Sequence, residues 1–66
     1  MTEFFSLLRL VVESWPGEKP FSLKQAIEYV ALRLEVAPTF DKADAERLFA
    51  YRSMSRQELL AALREA

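Results

Sequence analysis

A chain of 66 residues and 7.6 kDa, with nine basic against ten acidic side chains and a net charge of -1, describes one domain with no overall field drawing it to nucleic acid or an anionic membrane. It contains no Cys and no His, which removes disulfides, most transition-metal sites, the thiol nucleophile and the commonest general base. The expectation is a protein that is not an enzyme, with no catalytic, cofactor or metal residues.

Folding at this length buries on the order of 60% of the unfolded surface. If about 60% of that buried area is apolar, at ~25 cal/mol/Å² it contributes roughly 100 kcal/mol, and conformational entropy at ~1.5 kcal/mol per residue costs about the same. A lone monomer is therefore expected to be marginal, and with disulfides and metals closed to it, a second copy or a permanent partner is the remaining support. Asn is absent and Gln occurs only at Gln25 and Gln57, a depletion that fits a thermophile.

The stretch Glu3 to Trp15 reads as the first helix. At about 100° per residue, Phe4, Phe5, Leu7, Leu8, Val11, Val12 and Trp15 cover nearly half its circumference and leave Ser6, Arg9 and Glu13 as a narrow polar stripe. Thr2 is the expected N-cap, and Glu3 sits in the first turn, where the dipole favours an acid. So much apolar surface points to a homodimer through Phe4, Leu8, Val11, Val12 and Trp15, which Leu8→Asp would dissociate and unfold. The same stretch has no basic start, carries Glu3 and Glu13, and is too short to span a bilayer. A cytoplasmic protein without a membrane partner is expected.

Pro16-Gly17-Glu18-Lys19-Pro20 stops that helix: Pro16 pushes Trp15 out of the helical region and Gly17 allows the turn. A second helix is predicted over Leu23 to Val36, opened by Ser22 with Gln25 as a capping box. Its main face is Leu23, Ala26, Ile27, Val30 and Leu34. A second apolar group, Tyr29, Leu32 and Val36, lies nearly opposite. The simplest packing sandwiches this helix between others; the competing reading makes its second face a binding surface.

Pro38 ends the second helix, and a third is predicted over Lys42 to Arg52, with Asp41 as N-cap, Asp44 in the first turn, and Ala45, Leu48 and Phe49 buried. Ser55 and Glu58 make a second capping box with Met54 as a staple on Leu59, opening a fourth helix over Arg56 to Glu65 with Leu59, Leu60 and Leu63 inward. No stretch alternates with period two. The expected fold is all-α: a small bundle of four short helices in a single domain, residues 1–66.

Among polar groups, Asp41, Asp44 and Glu46 lie where a helix start favours acids, and their spacing matches no calcium loop. Arg52 and Arg56, near Tyr51 and Arg47, are more informative. Arg52 ends a helix, where a cation is favoured; Arg56 begins one, where it is not. Two arginines beside free helical N–H groups could hold a phosphate or a partner's carboxylate. The competing reading pairs them with Glu58, Asp44 or Glu46 while their stems cover the core edge.

The function expected is a non-enzymatic protein–protein interaction module, a small regulator, adaptor or inhibitor acting as a homodimer, with Tyr29, Leu32, Val36, Arg52 and Arg56 as its partner-binding surface. The alternative is a dimeric nucleic-acid-binding regulator with a helix-turn-helix-like segment at residues 41–65, using Arg47, Arg52, Arg56 and Arg64. Against it, the last helix spends its positions on Leu and Ala with Glu58 and Glu65, where a major-groove reader presents Arg, Lys, Asn or Gln.

Overall fold

A computed structural model of the chain describes residues 2–37 and 39–65. Among them, four helices follow one another: α1 over Thr2–Glu13, α2 over Leu23–Leu34, α3 over Lys42–Tyr51 and α4 over Arg56–Glu65. There is no strand among the described residues, and the all-α bundle expected from the periodicity is the observed fold. The starts of the helices follow local chemistry. The Gln25 N–H donates to Ser22 Oγ at 3.3 Å, the Asp44 N–H to Asp41 Oδ1 at 2.8 Å, and the Glu58 N–H to Ser55 Oγ at 3.2 Å. At Ser55 the capping box is reciprocal, because its own N–H donates to Glu58 Oε1 at 2.9 Å.

The helix ends differ more from expectation. α1 stops at Glu13 rather than Trp15, and the Ser14 hydroxyl donates to the Leu10 carbonyl at 2.8 Å, competing with a continued helix. Trp15 then folds over the following loop: its Nε1 donates to the Lys19 carbonyl, its ring meets Phe21 edge-on at 5.1 Å, and Lys19 Nζ lies 5.3 Å from it. Gly17 needs no special backbone, since its φ is not positive and a Cβ there would meet nothing within 4 Å. α2 ends at Leu34, two residues before the expected Val36. Glu35 adopts the left-handed conformation (φ 55°, ψ 42°), its N–H donates to Leu32, and the Val36 N–H donates to Ala31. That is a Schellman motif with Glu in the place usually held by Gly. Pro38, expected to end this helix, and the side chain of Thr2, expected as a cap, lie outside the described residues.

The core centres on α1. Phe4, Phe5, Leu8 and Val12 point inward together with Ala26, Val30 and Ala31 of α2, Leu48 and Tyr51 of α3, and Leu59 and Leu63 of α4. α2 and α4 pack along α1; α3 is tied to its start by Phe40, edge-on to Phe4 at 5.0 Å, and by Arg47, whose guanidinium lies 4.0 Å from the Phe5 ring centre. The Cα radius of gyration is 11.1 Å, against roughly 11 Å for a compact domain of this length. This overturns one expectation. Phe4, Leu8 and Val12 are sealed by the chain's own helices and are not a surface for a second copy; Val11 and Trp15 are half-buried at the edge of the same core. Leu8→Asp would unfold the chain whether or not it dimerises, because it would place a charge in that core.

Two further expectations fail on α3. Ala45 and Phe49, placed in the core by periodicity, are exposed, and Tyr51, grouped with the arginines, is buried. Leu48 and Tyr51 carry the inward face, so the helix is rotated by roughly a quarter of a turn from the expected orientation.

Candidate interaction surfaces

α2 is buried on one side only. Ala26 and Val30 are fully covered, whereas Tyr29, Leu32 and Val36 expose 50%, 75% and 40% of their surface. The sandwich expected for this helix does not form, since no other helix among the described residues covers its outer face. Tyr29 and Leu32 thus share one side of an exposed helix at three-residue spacing, the pattern by which a helix presents anchors to a partner, and exposed Val36 follows just beyond the left-handed Glu35 that ends it. Tyr29 also borders a cleft of about 420 Å³ lined by Val11, Ser14, Trp15, Lys19, Gln25 and Glu28, so this face continues onto the end of α1.

A second concavity of about 840 Å³ separates α2 from α3. Leu23, Ile27, Phe40 and Leu48 line it, with Ala45 and Phe49 on its α3 side and Lys24, Glu28 and Arg52 among its charged lining groups. Phe49 stands 67% exposed there, with the Arg52 guanidinium 4.7 Å from its ring centre. Sequence periodicity missed this groove because it assigned Ala45 and Phe49 to the core.

The arginines do not converge on an anion. Arg56 turns away from Arg52: its Nε donates to the Val12 carbonyl and its Nη2 to the Glu13 carbonyl, each at 2.9 Å. These are terminal carbonyls of α1, without donors inside the helix, though the Val12 carbonyl also accepts the Trp15 N–H at 3.4 Å; a cation disfavoured at the start of α4 instead serves the negative end of α1. Arg64 reaches the same end, its Nη2 lying 3.3 Å from Glu13 Oε1. Arg47 stacks on Phe5 and donates from Nε to the Tyr51 hydroxyl. Its buried Nη2 finds no hydrogen-bond partner among the described residues. One of the acids expected to pair with these cations, Glu58, serves its own helix start instead. Glu58 is held by Ser55, which lowers its pKa through the backbone and then the side-chain hydrogen bond.

Of the four arginines expected to touch nucleic acid, Arg47, Arg56 and Arg64 are engaged within the chain, and Arg52 lies on a phenylalanine. No described helix is long and apolar enough to cross a membrane. Comparison of the chain with protein-family models, curated proteins and solved structures finds no match.

Proposed function

We propose that the chain is a cytoplasmic, non-enzymatic protein–protein interaction module, a small regulator, adaptor or inhibitor that works by occupying another protein's surface through the outer face of α2. The observation that carries this reading is the exposure of Tyr29 and Leu32 on a helix whose opposite side is fixed in the core by Ala26 and Val30, with exposed Val36 just past its end. Scattered single apolar residues on a surface need no explanation, but a contiguous group on one rigid helix marks a contact site. The face is presented without rearrangement, so binding would order little beyond three side chains. Arg52 does not belong to this surface, and Arg56 is committed to α1.

The test is photo-cross-linking from a reactive amino acid placed at Leu32 in the source cells. The adduct is identified, and its affinity for the wild-type chain and for Leu32→Asp is measured with both proteins purified. A partner that binds the wild type and loses at least ~tenfold in affinity on Leu32→Asp, about 1.4 kcal/mol, supports the reading. Adducts that bind both chains equally, or no adduct at all, refute it.

A further inference from the structure

We propose that the groove between α2 and α3 receives the same face of a second copy of the chain, in a two-fold dimer whose α3 helices run antiparallel, each Phe49 seated over the other copy's Ala45. A two-fold interface uses one patch twice, so the patch must carry both a projection and the hollow that accepts it. This face carries both. Phe49 projects 67% exposed, and exposed Ala45 lies one helical turn before it on the same stripe, beside the hollow lined by Ile27, Phe40 and Leu48. A two-fold axis midway between positions 45 and 49 sets large against small at both contacts.

Charge points the same way. α3 begins at the N-cap Asp41 and ends at the C-cap Arg52, so an antiparallel pair brings each Arg52 toward the other copy's Asp41, opposite charges at opposite dipole ends. Across the groove, Lys24 and Glu28 on α2 carry both signs, so neither sign dominates that side of the patch. A net charge of -1 adds little repulsion. The free chain has 4751 Å² of accessible surface, and a standard interface needs about 800 Å² from each partner, roughly a sixth of that. A foreign ligand would need only the hollow; the exposed Phe49 beside it is accounted for by a copy of the same face.

This interface lies largely on the other side of α2 from Tyr29 and Leu32, so it stands apart from the interaction reading and fails separately. Sedimentation equilibrium over a wide concentration range tests it on the wild type, Phe49→Ala, Ala45→Phe and the swapped double variant Ala45→Phe/Phe49→Ala. Both positions are exposed, and far-UV circular dichroism confirms that each variant keeps its helices. The wild type should dimerise reversibly, each single substitution should raise the dissociation constant by ~tenfold or more, and the swap should restore most of the loss. Leu32→Asp should leave the dimer unchanged. A wild type that stays monomeric, a dimer indifferent to Phe49→Ala, a swap that restores nothing, or a monomer whose groove is filled by a different protein would each overturn the proposal.

Discussion

Arg56 Nε lies 2.9 Å from the carbonyl oxygen of Val12, 44 positions earlier in the chain, and this bond joins the start of α4 to the end of α1. With the Nη2 bond to the Glu13 carbonyl, one guanidinium satisfies two terminal acceptors of the helix on which the core is built. Arg56→Met should therefore lower stability by about 2 kcal/mol in urea denaturation, the range for hydrogen bonds to a charged group. Arg56→Lys should recover only part, because an ammonium lacks the planar fork that spans two carbonyls. Arg64→Ala, which removes only a largely exposed pair with Glu13, should cost no more than about 0.5 kcal/mol and nothing in high salt.

Arg47 is the opposite case. Its guanidinium is stacked on Phe5 and bonded to Tyr51, yet Nη2 is buried without a partner among the described residues. Replacing a half-buried guanidinium, one nitrogen of which is buried without a partner among the described residues, by an apolar chain of similar length removes that atom's desolvation cost and keeps the packing. Arg47→Met should be neutral or stabilising by about 1 kcal/mol, whereas Arg47→Ala, which opens a gap against Phe5, should destabilise by about 2 kcal/mol. Thermal melts of the two variants separate packing from charge.

Two backbone positions carry each other's residue. Glu35 is held at φ 55° where glycine is free of strain, and Gly17 occupies an ordinary conformation with open space around it. Glu35→Gly and Gly17→Ala should each raise stability, by about 1 and about 0.5 kcal/mol, the first by relieving the left-handed side chain and the second by narrowing the unfolded ensemble. The sites are independent, so the gains should add in a double variant.

The Ser55–Glu58 capping box gives a pH dependence with a definite sign. The Glu58 carboxylate has a folded pKa below its ordinary 4.5, mainly because the Ser55 N–H donates to it. Its contribution is fully present above the unfolded value and is lost as pH falls through the depressed folded value. Stability should therefore drop on acidification below 4.5, and Glu58→Gln should be less sensitive over that range when denaturation midpoints are compared.

Much of the fold was legible because its signals are local. Ser22, Asp41 and Ser55 are capping residues read within three positions of the N–H groups they accept, and the extent of α4 follows from the last of them. Orientation was less legible. The periodicity of α3 fits Ala45, Leu48 and Phe49 as well as Leu48 and Tyr51, and only the placement of Phe5 and Phe40 selects the second. The end of α2 was misplaced because its left-handed residue is a glutamate rather than a glycine. The role of Arg56 has no local signal beyond a cation at an unfavourable helix start, since its acceptors lie in another helix. Of the candidate surface, Tyr29, Leu32 and Val36 could be grouped from spacing alone, but whether another helix covers them is a tertiary property.

α1 is covered by its own chain while the outer face of α2 stays open, and relaxation of methyl signals by a soluble paramagnetic agent measures both at once. At dilutions where sedimentation shows a single chain, the methyl groups of Leu8, Val12 and Val30 should be protected and those of Leu32 and Val36 strongly relaxed. Exposure of Leu8 and Val12 under those conditions, or protection of Leu32 equal to theirs, would contradict the account.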